Sequence, residues 1–464
     1  MNNKLNKRYG LFVAICMVVG IVIGSGVFFK ADKVLSSTGN NMSLGVVAWL
    51  IGGVVMLGCV MMFANFARKH SKVNGLVDYA EAIVGPKYAY VLGSFATYIY
   101  YPAMTSVLGW VCSMYTFQLF GVYNETQLPC LLLGIGYVVL IYLLNILAPK
   151  LSGIFQTSST VIKLIPIVII AVIGTIAGLI NGNTANSFSA NSTNVDSSSI
   201  FGAICACAFA YEGWIISTSI NSELKDSKKN LPIALLIGSI IIMAVYILYF
   251  IGLAGAVNIN TTTSTDPLSY QAAKILFGNI GGTILKVFIV VSCLGTLNGL
   301  TVATTRAKYS LAVRGQGLYA KTFAKVNDKF NMPLNSGLLG FGLTILWLLY
   351  WFFGALNSKL GVFNFDSSEL PIITIYALYI PLFICYMISE IKAKNKNILT
   401  TFIMPIIATL CSLFMVFCAF YAHGISPYLT DKSIPIVYYM IVFIIVTVVA
   451  SIISIKNTNK DLEI

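Results

Sequence analysis

Long apolar stretches, separated by short polar connections, dominate the hydrophobic pattern of this chain. Twelve of these stretches reach the roughly 17–25 residues that a helix needs to cross a bilayer. They lie at about residues 11–30, 44–66, 88–120, 128–148, 154–180, 199–220, 232–257, 283–306, 336–354, 370–388, 399–423 and 434–455. The pattern predicts an all-α polytopic membrane protein with 12 transmembrane helices in a single transmembrane domain, residues 1–464.

The composition agrees with a chain whose solvent is lipid. Hydrophobic residues make up 58% of the sequence, charged residues only 10%, and the mean hydropathy is +0.85. A soluble domain carries roughly 25% charged residues, because its surface faces water. No connection between the apolar stretches is long enough to fold as a separate domain.

Basic residues are concentrated in alternate connections. Of the 29 lysines and arginines, 22 lie in the terminal segments and in one set of loops, while 5 lie in the opposite loops. Because basic loops stay in the cytoplasm, we predict a multi-pass protein of the cell membrane with both termini cytoplasmic. The net charge of +13 then reflects topology, and no nucleic-acid partner is expected.

Two apolar stretches carry glycine at mid-depth, where an uninterrupted helix would be expected. The first contains Gly-Ser-Gly at 24–26, and the sixth contains Phe-Ala-Tyr-Glu-Gly-Trp at 209–214. Glycine permits backbone angles that unwind a helix, and lipid cannot satisfy the N–H and C=O groups that unwinding exposes. The two stretches are five spans apart and would cross in opposite directions, which is typical of inverted-repeat transporters. Freed N–H groups favour a carboxylate and freed carbonyls an ammonium, so the breaks predict a backbone site for an α-amino acid.

Few ionisable residues lie within the apolar stretches. Glu212 is the one acidic residue placed deep in a stretch, and Lys163 lies near the middle of the fifth. Such residues are costly to insert and so indicate a functional site or a buried partner. Lys286 lies near the end of its stretch, where we expect it to reach the interface and to serve a structural role. The two histidines and ten cysteines lack metal-ligand spacing, so we predict neither a metal nor a cofactor.

Several motifs together resemble the amino acid–polyamine–organocation superfamily of transporters, and within it the L-type amino acid transporter branch, which includes bacterial serine/threonine exchangers. The resemblance covers nearly the whole chain. It rests on GIVIGSGVFFK at 20–30, KLIP at 163–166, FAYEGW at 209–214, NSELKDSKKNLPIAL at 221–235 and GTLNGLTVATTRAKYSLAVRGQGL at 295–318.

The resemblance implies an inverted repeat of five plus five helices in which helices 1 and 6 are broken. The first repeat would cover about residues 9–180, the second about 199–388, and helices 11–12 about 399–455. The substrate-binding residues that it implies are Ile23, Gly24, Ser25, Gly26, Phe209, Ala210, Glu212 and Gly213, with Phe209 as an aromatic lid. The predicted coupling or gating residues are Lys163, Phe209, Ser292, Thr296 and Asn298. The segment Tyr98–Ala103 is interpreted as a kink that packs between helices.

The predicted function is transport of neutral L-amino acids by alternating access, as sodium-independent exchange. Members of the L-type branch resemble this chain in having a fifth-helix lysine where sodium-coupled relatives bind an ion. The expected partners are the amino acid substrate and membrane lipid, with no obligatory protein partner. An amine, polyamine or cationic amino acid antiporter and a proton-coupled amino acid symporter are the alternatives. A membrane-embedded enzyme is a remote one, because no hydrolase, zincin or nucleotide-binding motif is present.

Overall fold

The computed structural model describes residues 10–69, 75–122, 126–189, 199–258, 267–330 and 332–461. Within these ranges the chain is almost entirely helical, and the only β-pairing is an isolated bridge between Asn327 and Met332. The α-helices are α1 (Leu11–Val22), α2 (Ser25–Ser37), α3 (Met42–Lys69), α4 (Leu76–Ile83), α5 (Pro86–Phe95), α6 (Tyr101–Leu119), α7 (Leu128–Leu147), α8 (Pro149–Ile169), α9 (Thr175–Ile180), α10 (Asn183–Ser189), α11 (Ser199–Ala210), α12 (Ser227–Ala256), α13 (Leu268–Ala312), α14 (Ala320–Phe323), α15 (Leu334–Tyr350), α16 (Leu370–Lys392), α17 (Met404–Phe420), α18 (Ser426–Asp431) and α19 (Pro435–Asp461).

Short wide turns of π-helix extend or join several of these helices. They lie at Ala96–Tyr100, Ile170–Gly174, Trp351–Leu356, Leu399–Ile403 and Tyr421–Ile425. Such turns shift the register of the side chains that follow them, and they are frequent at functional sites. The turn at Ala96–Tyr100 joins α5 to α6 and places a tyrosine in the site described below.

Ten helical segments of the described chain are long and apolar enough to cross a membrane, and an eleventh is formed by α1 and α2 together. The protein is therefore an all-α polytopic membrane protein. The third predicted stretch is helical from Pro86 to Leu119 but is not among these segments, since it is rich in tyrosine and in hydroxyl side chains. Its passage across the membrane, and with it the count of twelve, stays a prediction.

Helix α13 is longer than its predicted stretch at 283–306. It begins at Leu268 and bends at Gly278, whose φ of 70° and ψ of −173° interrupt the helical backbone. Lys286 on this helix is buried against protein rather than exposed, and its predicted reach to the membrane interface stays a prediction. Its side chain is 6% exposed, its Nζ donates a hydrogen bond to the carbonyl of Gln118 at 2.7 Å, and the ring of Tyr270 lies 3.8 Å away.

The two halves of the first span pack in the centre of the bundle. Helix α1 lies against α12 and α8, while α2 lies against α11 and α13. Where helix α12 meets the chain at residues 170–178, glycine faces glycine: a Cβ on Gly174 would come within 2.3 Å of the carbonyl oxygen of Gly252. Small residues permit such close backbone contacts in membranes, where dispersion rather than the hydrophobic effect holds helices together.

Candidate functional site

The first span is broken where the sequence predicts it. Helix α1 ends at Val22, Ile23 adopts an extended conformation with a φ of −68° and a ψ of 103°, and Gly24 follows with a φ and ψ of −147°. Helix α2 then begins at Ser25, and the two helices are bent by 47° relative to each other. The break leaves the last carbonyls of α1 and the first N–H groups of α2 without partners along the helix.

The sixth span is broken as well, by a different local structure. Helix α11 ends at Ala210, a turn covers residues 211–213, and a 3₁₀-helix runs from Trp214 to Glu223. Gly213 in the turn has a φ of 108°, a conformation that other L-amino acids rarely adopt. Here the glycine is required by the backbone itself.

The two breaks lie against each other. A Cβ on Gly26 would come within 2.8 Å of the Cα of Ala210, so only glycine permits this approach of α2 to α11. The hydroxyl of Tyr246, on α12, lies 3.0 Å from the carbonyl oxygen of Val22 and 3.1 Å from that of Ala210. One buried hydroxyl thus reaches a freed carbonyl from each break, and no sequence pattern had marked it.

A small cavity lies between the breaks. Its volume is about 40 Å³, counted as the space open to the centre of a water molecule. The lining residues that the sequence had singled out are Gly26, Phe209, Ala210, Glu212, Gly213 and Thr296. Those that sequence reasoning missed are Ile21, Val22, Tyr100, Met104, Leu108, Gln156, Ile216, Gly299 and Leu300. Ile23 and Gly24 are buried beside the cavity, and of Ser25 only the backbone is described.

Glu212 contacts a residue from the π-helical turn of the third predicted span. The hydroxyl of Tyr100 donates a hydrogen bond to its Oε1, while Oε2 is buried and has no hydrogen-bond partner among the described residues. The segment Tyr98–Ala103 therefore does more than pack between helices, because Tyr100 is part of the cavity wall. A π-helical turn has no composition signal, so the register that points Tyr100 inward could not be predicted.

Lys163 lies behind the first break and does not line the cavity. Its side chain is fully buried on α8, and its Nζ donates a hydrogen bond to the carbonyl oxygen of Gly20 in the last turn of α1. The two helices touch at this point, since a Cβ on Gly20 would overlap the side chain of Thr160. The acceptor is a carbonyl that the break leaves free, one turn before the Gly-Ser-Gly motif at 24–26.

The three polar residues predicted on α13 face different neighbours. Thr296 lines the cavity, and its hydroxyl donates to the carbonyl of Ser292 at 3.1 Å. The hydroxyl of Ser292 is buried without a hydrogen-bond partner in the part of the chain that is described. Asn298 is turned away from the cavity towards α7 and α8, where its Oδ1 accepts a hydrogen bond from Asn145 at 2.9 Å.

On one side of the cavity, an aromatic layer is followed by a buried charge cluster, which we call the outer cluster: Lys30, Lys33, Asp366, Glu369 and His423. The ring of Phe209 stacks edge to face on Phe29, with centroids 5.9 Å apart. The Nζ of Lys30 lies 4.8 Å from the centre of the Phe209 ring and donates a hydrogen bond to Glu369 at 2.7 Å. The candidate lid is thus in direct contact with the outer cluster.

The outer cluster joins three elements. Lys33 of α2 lies 2.6 Å from Glu369 and 3.0 Å from Asp366, just before α16, and the Nε2 of His423 lies 3.1 Å from Glu369. Burial would raise the pKa of Glu369, but Lys30 and Lys33 hold that pKa well below its ordinary value. Glu369 therefore stays ionised between the two lysines and fastens α2 to the start of α16.

Ion pairs close the opposite side of the bundle too. Arg314, just after α13, pairs with Asp78 and, at 3.3 Å, with Glu81 on the short helix α4. Lys69 at the end of α3 pairs with Glu390 near the end of α16 at 2.5 Å. The outer cluster therefore lies on one side of the cavity, and these pairs join helices on the other.

A membrane bundle whose two broken helices meet at a central cavity is the arrangement of a transporter. The chain belongs to the amino acid permease family, whose model matches residues 9–456. It is 31% identical over 398 residues to the serine/threonine exchanger SteT of Bacillus subtilis, which covers 85% of this chain and 86% of SteT. It is also 27% identical to the human b(0,+)-type amino acid transporter 1 (89% and 82% of the two chains) and 24% identical to the human cystine/glutamate transporter (95% and 86%).

Proposed function

We propose that this protein exchanges neutral L-amino acids across the cell membrane by alternating access, without sodium. Membership of the amino acid permease family makes it an amino acid transporter, and similarity to exchangers favours antiport over the alternatives. The observation that carries the finer proposal is the pair of helix breaks at Val22–Ser25 and Ala210–Trp214, which face one cavity. Their freed backbone groups offer partners to both charges of an α-amino acid.

In this proposal the substrate binds mainly to backbone. The N–H groups that open α2, at Ser25 and Gly26, would hold the α-carboxylate, because a helix N-terminus favours an anion. The freed carbonyls at the ends of α1 and α11 would hold the α-ammonium. Phe209 would close over the bound substrate, and Glu212 would supply a polar group near the side chain.

Lys163 is proposed to take the place of a bound sodium ion. A lysine at the bilayer centre costs about 2.5–3.5 kcal/mol on insertion scales, so a role that offsets this cost is expected. Its ammonium already rests on the carbonyl of Gly20, which the break leaves free of a helical partner. When α1 moves during transport, this contact can break and re-form, so Lys163 would couple α8 to the movement.

The arrangement of the chain in the membrane belongs to the same proposal. We place two inverted repeats at about residues 9–180 and 199–388, followed by a C-terminal pair of helices, in the cell membrane with both termini cytoplasmic. The basic loop at 306–335 would then be cytoplasmic, which cysteine-accessibility labelling of that loop tests directly. Lipid surrounds the bundle in this arrangement, and no protein partner is needed for the cavity to form.

An amine, polyamine or cationic amino acid substrate is less suitable for this cavity. Glu212 is the one carboxylate among its lining residues, and one of its oxygens already accepts a hydrogen bond from Tyr100. The lining is otherwise mostly apolar, which suits a substrate whose net charge is zero.

Exchange in proteoliposomes tests the proposal. Vesicles loaded with an unlabelled neutral amino acid should take up radiolabelled amino acid faster than empty vesicles, and replacing sodium by choline should change nothing. Amino acid methyl esters and the corresponding amines, which lack the carboxylate, should compete at least tenfold less well than the parent amino acid. Equal competition by those compounds would refute recognition at the N-terminus of α2.

A further inference from the structure

Besides Tyr100, Glu212 and Thr296, the cavity wall has a polar patch that the backbone site does not use. It is formed by Gln156 on α8 beside Gly299 on α13, and both residues line the cavity. A Cβ at Gly299 would lie 3.4 Å from the Nε2 of Gln156, so the missing side chain is what leaves the amide accessible. Leucine, isoleucine and methionine side chains make up much of the remaining wall.

Gln156 is joined to three buried polar side chains, and these four residues are here called the amide network: Asn145, Ser152, Asn298 and Gln156. The Oδ1 of Asn298 accepts hydrogen bonds from the Nδ2 of Asn145 and from the hydroxyl of Ser152, both at 2.9 Å. The Nδ2 of Asn298 donates to the Oε1 of Gln156 at 3.0 Å. Asn145, Ser152 and Asn298 are each at most 3% exposed, so water does not compete for these bonds.

Two backbone carbonyls determine the direction of every bond in the amide network. The Nδ2 of Asn145 also donates to the carbonyl of Ile141 at 2.9 Å, and the Nδ2 of Asn298 also donates to that of Ser152 at 3.2 Å. A carbonyl can only accept, so neither asparagine can be flipped without placing two acceptors against each other. The Oε1 of Gln156 is therefore held towards Asn298.

It follows that the amide N–H₂ of Gln156 points away from the network and is available at the cavity wall. Within the described residues, the side-chain hydrogen bond of Gln156 is the one that its Oε1 accepts, and its N–H₂ group donates none. A donor that is desolvated without a partner destabilises a complex, whereas one that meets an oxygen stabilises it. A bound substrate excludes water from the cavity. Its side chain then either offers an oxygen to the Gln156 donors or leaves them without a partner.

We propose that Gln156, oriented by the amide network, selects substrates whose side chain carries an oxygen acceptor. This inference rests on the proposed function and narrows its substrate class to small neutral amino acids with a side-chain hydroxyl or carbonyl oxygen. Size enters through the cavity volume of about 40 Å³, which is room for roughly three water centres at 10–15 Å³ each. An apolar side chain of equal size fits the space but leaves the Gln156 donors unpaired.

The test compares two substrates of nearly equal shape, L-serine and L-2-aminobutyrate, in proteoliposomes. The quantity measured is the ratio of kcat/KM for serine to kcat/KM for 2-aminobutyrate. In wild type this ratio should exceed one. Gln156→Met keeps the length of the side chain and removes the donors, so it should lower the ratio about two- to tenfold, the effect of one hydrogen bond.

A second variant, Asn298→Asp, keeps the glutamine and changes only its orientation. The new carboxylate still accepts from Asn145 and Ser152 but repels the Oε1 of Gln156, so the amide should turn its donors away from the cavity. The ratio should fall as it does in Gln156→Met. Gln127→Met makes the same chemical change at an exposed position before α7 and should leave the ratio unchanged.

Each outcome decides the matter. A lower ratio in both variants, with transport of 2-aminobutyrate retained, supports the inference; if Gln156→Met does not fold, Asn298→Asp alone decides. An unchanged ratio, or an equal loss for both substrates in a folded variant, overturns it. A wild-type ratio of one or less also overturns it while leaving amino acid transport intact. Wild type that transports neither substrate, nor any other neutral amino acid, contradicts the proposed function itself.

Discussion

Replacing Gly24 by alanine would place a methyl group where the first helix break meets α13. The added Cβ would lie 2.2 Å from the Oγ1 of Thr296, 3.2 Å from its Cβ and 3.3 Å from its Cγ2. Rotating the threonine would relieve this contact only if its Cβ hydrogen, rather than its hydroxyl or methyl group, faced the new methyl, and its Cβ would still lie 3.2 Å away. The backbone at Gly24 has a negative φ, so the space rather than the conformation requires glycine here.

To relieve that contact, the new Cβ and the Oγ1 of Thr296 must move apart by more than 1 Å, from 2.2 Å to ordinary contact near 3.4 Å. Overpacking of this kind costs about 1–3 kcal/mol, which is about 5- to 150-fold in an equilibrium constant. Thr296→Ala removes the two closest branches and leaves only the Cβ at 3.2 Å. The double variant Gly24→Ala/Thr296→Ala should therefore be more stable than Gly24→Ala alone.

Thermal unfolding in detergent, followed with a thiol-reactive fluorogenic dye, measures this effect. Of the ten cysteines only Cys16 is exposed, so dye labelling reports the opening of the bundle. Gly26→Ala is the matched comparison, because its Cβ would meet the backbone of Ala210 at 2.8 Å and Thr296→Ala cannot relieve that. Gly136→Ala, on an exposed face of α7 with nothing within 4 Å, should unfold like wild type.

Two results would refute the reasoning. Unfolding of Gly24→Ala at the wild-type temperature would mean that the first break is not packed against α13 as described. Alternatively, Thr296→Ala could stabilise Gly26→Ala as much as it stabilises Gly24→Ala, which would mean that the relief is not local to the Thr296 contact.

Two further predictions concern charged residues on either side of the cavity. Lys163→Ala should cut the exchange rate in proteoliposomes at least tenfold while the thermal unfolding temperature changes little. Wild-type exchange should persist when choline replaces sodium. A normal rate in the variant, or a sodium requirement in wild type, would contradict the proposed role. Glu369→Gln should lower the unfolding temperature, because removing one partner of a buried ion pair costs about 3–5 kcal/mol. Since the pKa of Glu369 is lowered by Lys30 and Lys33, the wild-type protein should keep this stabilisation above the ordinary glutamate pKa of about 4.3 and lose it only as the pH falls further. A variant as stable as wild type at neutral pH would show that the outer cluster does not hold α2 to α16.

The sequence alone determined the class of protein and the position of both helix breaks. Apolar length is a property of consecutive residues, so the spans could be read directly, and glycine at mid-depth marks a break because its cause is local to the backbone. Gly26, Ala210 and Gly213, which the resemblance implies as binding residues, line the cavity, and their role in binding stays a prediction. Helical periodicity alone puts Thr296 and Asn298, two positions apart, on different faces of α13.

Only the tertiary structure decided which distant residues complete the site. Tyr100 reaches Glu212 through a π-helical turn, Tyr246 reaches both breaks from α12, and Gln156 is oriented by asparagines on two other helices. The outer cluster joins lysines of the first span to acids more than 300 positions later in the chain. These contacts depend on how each helix is rotated about its axis and on the distances between helices. Packing determines both quantities, and a local pattern of residues does not contain them.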